Sequence, residues 1–415
     1  MRPAAVICRH CGADISLPLV DLGTAPPSNA YLTSDRLCLP EPWYPLRVLV
    51  CTECWLAQTA EVTDRTELFS AEYAYFSSIS TTWLQHAERF VTMAVERFAL
   101  GPHSHVVEVA ANDGYLLQYV QGRGIPCLGI EPTASTARAA RAKGLDVVEE
   151  FFGVDLAGRL ADAGRSADLT VANNVLAHVP DINDFVSGFA RLLKADGVAL
   201  FEFPHLLRLV QEHQFDTIYH EHFSYLSLTA AARILGRNGL VVFDVEELPT
   251  HGGSLRVYAQ RRDTGRRDIT PRVAGILATE AAAGITTPEF YASFQASADR
   301  VKDDFLFFLL DARRAGKKVA AYGAAAKGNT LLNYSGARAD LVAFVVDRNP
   351  AKQGKYLPGS RIPIVDETHL RREQPDFVVI LPWNLESEVT TQLEYIKAWG
   401  GRFVTVLPVL RVVGA

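Results

Sequence analysis

The stretch His105-Val106-Val107-Glu108-Val109-Ala110-Ala111-Asn112-Asp113-Gly114 decides the fold prediction. It is an apolar run that ends in a loop of small and polar residues, and an amphipathic segment follows at residues 115–121. A strand that passes through such a turn into a helix is the first unit of a doubly wound sheet. The sequence therefore predicts an α/β protein with a Rossmann-like fold in the middle of the chain.

A second predicted strand, at residues 126–130, ends at Glu131, which lies 17 positions after Gly114. An acidic residue at this point can reach a ribose hydroxyl pair, so the loop and the acid together predict a nucleoside site. The alternation continues with a strand at 167–174 that ends in Asn173-Asn174, a helix around 185–193 and a strand at 198–203.

The first loop differs from a dinucleotide fingerprint, because Ala110, Asn112 and Gly114 stand at the Gly-x-Gly-x-Gly positions. An acidic, amide-bearing loop repels a pyrophosphate but suits the amino-acid end and the sulfonium of S-adenosylmethionine. This favours a class I methyltransferase over a dehydrogenase. Ala110 replaces the first glycine, so we expect a negative φ at this residue.

The N-terminal region carries two Cys-x-x-Cys knuckles, Cys8 to Cys11 and Cys51 to Cys54, with 40 positions from the first knuckle to the second. Four thiolates at this spacing predict a tetrahedral, structural zinc site, since they leave no open position for catalysis. The alternatives are two unrelated cysteine pairs, or His10 in place of one thiolate. Cys38 and Cys127 have no knuckle partner and are expected to be small buried residues.

Six of the eleven histidines fall between His178 and His251, and residues 215–225, called the histidine segment below, are the densest part. The sequence His220-Glu221-His222 could bind a metal, but no third ligand has a clear spacing. A neutral imidazole is also the side chain best suited to act as a general base near pH 7. A third interpretation is a histidine cluster that satisfies buried backbone groups.

A second nucleotide-type unit follows a helix predicted at 289–315. An apolar strand up to Tyr322 enters the small-residue loop Gly323-Ala324-Ala325-Ala326-Lys327, which is basic rather than acidic. Backbone N–H groups at a helix N-terminus beside a lysine predict a phosphate cradle. Later strands end at Asp347 and before Pro382-Trp383-Asn384, where ligands collect; a small-residue turn that binds nothing is the alternative.

Length and composition set the frame for these motifs. The chain has 415 residues, 48% hydrophobic and 21% charged, with a formal net charge of −6. This composition excludes intrinsic disorder, and the charge argues against a generally basic nucleic-acid binder. No apolar run reaches about 18 residues, and the N-terminus lacks the apolar core of a secretory signal. We therefore expect no nucleic-acid or membrane partner and a reducing, cytoplasmic location.

The motifs predict three domains: a zinc-binding domain at 1–66, a methyl-donor domain with the histidine segment at 67–262, and a Rossmann-like domain at 263–415. This order resembles the S-adenosylmethionine-dependent sugar C-methyltransferases, most closely the C-3 methyltransferases of the tetronitrose type that act on NDP-4-keto-deoxysugars. The resemblance covers nearly the whole chain and is carried by the two knuckles, Asp21-Leu22-Gly23, Asn112-Asp113-Gly114, Glu131-Pro132, Phe151-Phe152, His178-Val179-Pro180, Glu221-His222-Phe223, His251-Gly252-Gly253, Tyr322-Gly323-Ala324, Lys327 and Trp383-Asn384.

The resemblance implies a structural Zn²⁺, S-adenosylmethionine in the central domain, and an NDP-sugar, usually dTDP-linked, gripped by the C-terminal domain. It implies that a histidine removes a proton beside the C-4 ketone of a 4-keto-6-deoxyhexose and that the resulting enolate takes the methyl group at C-3, or alternatively at C-5. By resemblance the base is His222, while His220 stands where the family has a carboxylate. The oligomeric state is left open, and a monomer is compatible with the sequence.

Each group of candidate residues follows from these motifs. The catalytic candidates are His222, Tyr219, Glu221, His178, Tyr75 and His220. The donor-binding candidates are Glu108, Ala110, Asn112, Asp113, Gly114, Glu131, Pro132, Phe151, Phe152, Asn173 and Asn174. The substrate-binding candidates are Tyr75, His178, His251, Tyr322, Gly323, Lys327, Asn329, Asp347, Lys352, Trp383 and Asn384. The zinc candidates are Cys8, Cys11, Cys51 and Cys54.

Two other functions are compatible with the same motifs. The two neighbouring base candidates, His220 and His222, would also suit an epimerase that removes a proton from a 4-keto sugar nucleotide and returns it without methylation. A zinc-knuckle protein whose nucleotide folds sense ligands is a different class of function.

Overall fold

The computed structural model describes residues 6–60 and 76–413, and Tyr75 lies outside them. The N-terminal region has a hairpin and three strands of an antiparallel sheet, in which each knuckle joins two strands. The hairpin holds Cys8 and Cys11 between its strands, and the second knuckle lies between the last two strands of the sheet. These strands are β1 Val6–Ile7, β2 Asp14–Ile15, β3 Leu17–Ala25, β4 Tyr44–Val50 and β5 Ala57–Thr59.

The fourth strand of the N-terminal sheet comes from elsewhere in the chain. β11, Ser224–Tyr225, is the end of the histidine segment and pairs antiparallel with β5, which gives the order β11-β5-β4-β3. β4 buries every second residue, Leu46, Val48 and Val50, as expected for a strand with one face on a core. The histidine segment is therefore attached to the zinc-binding region.

The central region contains a seven-stranded sheet of order β12-β13-β10-β9-β6-β7-β8. Six strands run in the same direction, and β13 runs antiparallel between β10 and β12. The strand order reverses beside β6, so the loop after β6 opens at the crevice where doubly wound sheets bind ligands. The strands are β6 Val106–Val109, β7 Cys127–Ile130, β8 Val147–Val148, β9 Ala167–Asn173, β10 Leu193–Pro204, β12 Leu240–Leu248 and β13 Ser254–Arg261.

Helices cover both faces of the central sheet with apolar sides, such as Leu156 and Leu160 on one helix and Phe185 and Phe189 on its neighbour. The helices are α1 Thr81–Phe98, α2 Leu117–Gln121, α3 Ala134–Ala142, α4 Val154–Asp162, α5 Ile182–Leu192, α6 Leu206–Gln211 and α7 Leu228–Arg237.

The C-terminal region has a six-stranded sheet of order β16-β15-β14-β17-β18-β19, parallel except for β19. β14 starts near the middle and later strands extend to both sides, which is a Rossmann-like arrangement. The strands are β14 Val319–Tyr322, β15 Val345–Val346, β16 Ile364–Val365, β17 Phe377–Ile380, β18 Arg402–Thr405 and β19 Arg411–Val413, and the helices are α8 Pro271–Ala283, α9 Pro288–Ala292, α10 Phe294–Arg314, α11 Ala326–Tyr334, α12 Glu367–Glu373 and α13 Glu386–Gln392.

Two details differ from the sequence prediction. The helix expected at 289–315 is broken at Ser293 into α9 and α10. Cys38 is exposed rather than buried, because it ends a short 3₁₀ helix with no buried residue, and Cys127 is only half-buried. The predicted domain boundaries stay predictions, the first of them among residues 61–75. In the described part of the chain, no helix combines the length and apolarity needed to cross a bilayer.

The three regions share cores. Leu46, Val48 and Val50 of the N-terminal sheet pack in one apolar cluster with Phe305 and Leu309 of α10. The knuckle cysteines pack in a second cluster that includes the central sheet and α7. Burial of this continuous apolar surface fixes the regions against one another. The candidate site lies where the three regions meet.

Candidate active site

The loop after β6 turns sharply through three residues of positive φ: Ala110 at 56°, Asn112 at 49° and Gly114 at 77°. The expectation of a negative φ at Ala110 is therefore wrong. The left-handed conformation costs an alanine about 1–2 kcal/mol, which the surrounding sheet must hold in place. Glycine is required at the end of the loop, because a Cβ on Gly114 would lie 2.2 Å from the side chain of Leu145.

Glu131 at the end of β7 anchors this loop. Its carboxylate accepts one hydrogen bond from the Asn112 N–H and one from the Thr133 N–H, each at 2.9 Å, and Pro132 lies between. Glu108 in β6 is fully buried, and this burial raises the pKa of its carboxyl well above the ordinary value. The sequence places both acids beside the loop, as predicted for a donor site.

Acceptor oxygens without donors surround the loop. Among residues 6–60 and 76–413, Asp113 Oδ1, Asn173 Oδ1 and Asn174 Oδ1 are buried without a hydrogen-bond partner. Buried polar atoms are normally paired, so these three are positions for the donor groups of a ligand. S-adenosylmethionine carries an ammonium, an exocyclic amine and a cationic sulfur, and this acceptor-rich set fits it.

The two phenylalanines predicted for the donor site have different environments. Phe152 is buried, and its ring lies 5.7 Å from the Phe185 ring and 4.9 Å from the Phe189 ring, between α4 and α5. Phe151 is exposed.

His222 is the centre of the second part of the site. Its Nδ1 lies 2.8 Å from the carbonyl oxygen of Thr217. A carbonyl only accepts, so Nδ1 carries the proton and Nε2 keeps a lone pair. Burial, with His178, His251 and Lys327 nearby, lowers the pKa of His222 well below its ordinary value of 6.5. The ring is therefore neutral near pH 7 and has a basic nitrogen.

Three predicted residues surround His222. The Tyr219 ring lies 4.0 Å and the His178 ring 4.6 Å from it, measured between centroids. The third, His251, is joined to the donor side because Asn174 Nδ2 donates to His251 Nε2 at 3.1 Å. Burial lowers the pKa of both His178 and His251 to about 4. Tyr75, the remaining candidate, lies outside the described residues.

The neighbours of His222 in sequence point elsewhere. Glu221 is buried and accepts a hydrogen bond of 2.6 Å from Asn29 Nδ2 of the N-terminal region. His220 Nε2 faces the carbonyl oxygens of Tyr44 and Pro45, at 3.3 and 3.2 Å. The structure therefore separates His220 from His222, because the chain turns here: the His222 N–H donates to the Tyr219 carbonyl at 2.9 Å. On a straight strand, side chains two positions apart would leave on the same side.

The C-terminal loop after β14 is the third part of the site. Gly323 has φ 89°, and a Cβ there would lie 2.5 Å from Pro382, so no larger residue fits. Asp347 Oδ2 accepts from the Ala324 N–H at 2.8 Å, and Lys352 Nζ donates to the Ala324 carbonyl at 2.8 Å. The Tyr322 hydroxyl donates a hydrogen bond to Gln392 Oε1 at 3.1 Å and does not take part in these loop contacts. Asp347 and Lys352 thus fix the conformation of the loop.

Lys327 lies in the first turn of α11, directly after this loop. Its Nζ donates to Asn384 Oδ1 at 2.7 Å and lies 4.7 Å above the centre of the Trp383 ring. Burial lowers the pKa of Lys327. Two residues on, Asn329 is buried, and neither polar atom of its amide has a partner within the described part of the chain. A cation, a helix N-terminus and an unsatisfied amide together form an anion-binding corner.

Sequence analysis missed a carboxylate at the centre of the cleft. Asp216 is fully buried, its Oδ2 accepts from Trp383 Nε1 at 2.8 Å, and burial raises its pKa to about 6. Gly252 packs on the same tryptophan, since a Cβ there would lie 2.3 Å from the ring. Asp216 stands in the histidine segment, but a single Asp among histidines gave no signal that it would reach the C-terminal region.

A buried ion-pair cluster was missed as well. Glu202, the last acid of β10, contacts His86 Nε2 at 2.9 Å and Arg256 at 3.0 Å. Trp83 stacks on the His86 ring at 4.8 Å and lies 5.3 Å from the His251 ring. These residues come from α1, β10 and β13, which are distant in sequence, so spacing could not have found the cluster.

The four predicted zinc ligands come together. Their sulfur atoms all lie within 4.8 Å of one another, and Cys8–Cys54 and Cys11–Cys51 are each 3.5 Å apart. Zn–S bonds of about 2.3 Å in a tetrahedron need sulfur atoms about 3.8 Å apart. The four thiols, three of them buried, therefore fit a structural zinc ion that closes the two knuckles.

The fold and the site define a class I methyltransferase with a zinc-binding region in front and a second Rossmann-like region behind. Comparison with known proteins agrees, region by region. Three family models match: one described as "Putative zinc binding domain" at residues 8–69, "Methyltransferase domain" at 83–245 and "C-methyltransferase C-terminal domain" at 249–408.

A curated relative covers the whole molecule. The chain is 34% identical to the C-methyltransferase NovU of Streptomyces niveus over 98% of this chain and 97% of that protein. The chain belongs to this family of S-adenosylmethionine-dependent C-methyltransferases, and it is an enzyme with a zinc-binding domain.

Solved structures of methyltransferases match part of the chain. The magnesium protoporphyrin IX methyltransferase ChlM of Synechocystis PCC 6803 with bound SAM is 17% identical, with a TM-score of 0.33, over 43% of this chain and 79% of that one. An S-adenosylmethionine-dependent methyltransferase of Clostridium acetobutylicum is 11% identical, with a TM-score of 0.34, over 43% and 92%.

Proposed function

We propose that the enzyme methylates a ring carbon beside the C-4 ketone of an NDP-4-keto-6-deoxysugar, C-3 by preference and C-5 as the alternative, with dTDP as the nucleotide. One observation carries the proposal: the hydrogen bond to the Thr217 carbonyl leaves His222 Nε2 unprotonated in a cleft between the donor loop and Lys327. A carbon acid next to a ketone has no lone pair until such a base removes its proton, whereas an oxygen or a nitrogen carries a lone pair already.

The reaction balances with the residues present. His222 Nε2 takes the proton from the ring carbon, and the C–H electron pair forms an enolate with the ketone. S-adenosylmethionine supplies an electrophilic methyl group on a cationic sulfur. The enolate carbon forms the new C–C bond, the C–S electron pair stays on sulfur, and the proton leaves from His222 to solvent.

The enolate oxygen needs a hydrogen-bond donor or a positive charge. His178 is the group for this role, because its ring lies beside the ring of His222. With its pKa at about 4, His178 is neutral at pH 7 and carries a ring N–H that can donate a hydrogen bond.

The sugar nucleotide has its own anion site. A diphosphate is better accommodated by Lys327, the first turn of α11 and the unsatisfied Asn329 amide than by the acidic donor loop. The two substrates are therefore separated by charge. The cationic S-adenosylmethionine lies at Asp113, Asn173 and Asn174, and the anionic diphosphate of the sugar nucleotide lies at α11. Membership in a C-methyltransferase family gives no support to the epimerase alternative, and a cytoplasmic location stays a prediction.

The test uses dTDP-4-keto-6-deoxyglucose with S-adenosylmethionine in D₂O. We expect a product heavier by one CH₂ unit, with the new methyl group at C-3. Deuterium at the ring carbon with inverted configuration and no methyl gain would contradict the proposal in favour of epimerisation.

The same assay tests the base. We expect His222→Asn to lower turnover by about 10²- to 10⁴-fold, the usual contribution of general-base catalysis, while donor affinity measured by calorimetry stays within about twofold. His103→Asn, on an exposed loop residue, is the matched control. Unchanged turnover in His222→Asn would remove His222 from the mechanism.

A further inference from the structure

We propose that the N-terminal zinc-binding region orients the catalytic base, and that Arg9 and Asn29 are positioning residues for His222. The inference rests on the proposed role of His222 and goes beyond the structural role of the zinc ion. It assigns to the zinc knuckle an effect on the rate of proton removal in addition to an effect on stability.

The backbone after His222 is part of the N-terminal sheet. Ser224 pairs with Gln58 and Tyr225 with Ala57, both in β5. The Thr59 N–H donates to the Phe223 carbonyl at 3.1 Å. β5 follows the second knuckle directly in sequence. The Cys51 N–H donates to the Leu56 carbonyl at 3.0 Å, which ties the knuckle to the start of this strand. The peptide that follows His222 is therefore fixed by the strand that the zinc ligands hold.

Arg9 adds a side-chain bond from the first knuckle. It stands between the ligands Cys8 and Cys11, and its guanidinium donates to the carbonyl oxygens of both Phe223 and Thr59, the latter at 2.8 Å. A guanidinium is planar with several donors in a fixed geometry, so it fixes two carbonyls at once where an ammonium would not. These hydrogen bonds connect the turn that carries Cys8 and Cys11 to Phe223, the residue after His222.

Asn29 holds the residue before His222. Its Nδ2 donates to Glu221 Oε1 at 2.6 Å, and the Tyr31 hydroxyl lies 3.2 Å from Asn29 Oδ1 and 2.7 Å from the Ala324 carbonyl. The segment of residues 29–31 thus reaches Glu221 on one side and the C-terminal loop on the other. The residues before and after His222 are thus both held from the N-terminal region, while the His222 ring packs on the His178 ring.

The consequence for the reaction follows from distance. A base works only within about 2.6–3.2 Å of the proton it removes, and a displacement of about 1 Å can cost 10²-fold in rate. Among the described residues, the imidazole of His222 has one direct hydrogen bond, to Thr217. Its position therefore depends on how the two neighbouring residues are held.

The experiment compares Arg9→Met and Asn29→Ala in the full-length zinc enzyme. We expect each to lower kcat by about 10-fold to 100-fold, with KM for the sugar nucleotide and Kd for S-adenosylmethionine within about threefold. Deuterium uptake at the ring carbon should slow in step with kcat. Zinc content should stay at one ion per chain, and Arg9→Lys should restore only part of the rate.

Arg233→Met is the matched control, because Arg233 also donates to a knuckle carbonyl, that of Glu53, at 2.7 Å, but has no hydrogen bond to residues 221–223 in the described part of the chain. It should lower Tm without changing kcat. Wild-type kcat in both test variants, or loss of rate only in parallel with loss of zinc or of folded protein, would overturn the inference. If Arg9→Met fails to fold, Asn29→Ala decides by the same criteria. Full turnover in His222→Asn would instead contradict the proposed function.

Discussion

His222 is suited to the proposed role of base because of its surroundings. The Thr217 carbonyl fixes its tautomer, and burial beside His178 lowers its pKa. The residue type alone gives a pKa of 6.5, at which a large part of the imidazole is protonated near pH 6 and cannot accept a proton. The cleft removes this competition and keeps the lone pair available.

This predicts the pH dependence of the reaction. Since a lowered pKa keeps the imidazole neutral to lower pH, we expect kcat/KM to stay flat from pH 8 down to pH 6, with the acid limb below pH 6. The measurement is an initial-rate profile with both substrates. An acid limb with an apparent pKa at or above 6.5 would show that the base is solvated.

The free energy of unfolding also depends on pH, and it falls on the same acid side as the reaction rate. A stability control is therefore needed for the rate profile. His178 titrates at about 4 when folded and at its ordinary 6.5 when unfolded, so the unfolded state binds protons first. The free energy of unfolding falls as pH drops from 6.5 towards 4. Rates below pH 6 therefore need a check that the enzyme regains full activity when returned to pH 7.5.

At the scale of elements, α11 is the proposed anion site. Its N-terminus carries Lys327, and the helix dipole and the ammonium act in the same direction. The cation is held over Trp383, which Asp216 anchors from the central region. The element is thus built from two regions, and its chemistry depends on their contact.

We expect Lys327→Met to raise KM for the sugar nucleotide at least tenfold, because a buried charge opposite a diphosphate contributes more than an exposed one. Affinity for S-adenosylmethionine should not change, since the donor loop is on the other side of the cleft. Lys317→Met is the control: its exposed ion pair with Asp376 is worth little. A loss of donor affinity with unchanged KM for the sugar would contradict this division.

At the scale of the whole molecule, the zinc-binding region is not a detachable module. Its sheet shares an apolar core with α10 and the C-terminal sheet, and its knuckles pack on the central sheet. Loosening the knuckles therefore exposes apolar surface belonging to all three regions.

We expect chelation of zinc, or Cys8→Ser, to lower stability across the molecule. A structural zinc contributes folding free energy directly, so Tm should fall and hydrogen exchange should accelerate in α10 and β14 as well as in β3 and β4. Cys38→Ser, on an exposed cysteine, is the control. An apoenzyme with unchanged Tm and exchange would contradict a structural role of the metal.

Much of the site followed from local sequence. The alternation around residues 105–114, the two knuckles and the basic loop at Lys327 each predicted an element and its chemistry, because strand, turn and ligand spacing are local properties. Local reasoning failed at Ala110: its left-handed backbone is imposed by the anchoring of the loop on Glu131, not by the residue itself.

The sequence by itself determined which chemical groups this enzyme possesses: four thiolates for zinc, an acidic loop for a cationic donor, a basic loop for an anion and a histidine for proton removal. Only the tertiary structure decided which of them meet. Asp216 reaches Trp383, Asn29 reaches Glu221, and His220 turns away from His222 to β4. The physical reason is that these contacts join residues more than 150 positions apart, and burial of a shared apolar core, not local propensity, brings them together.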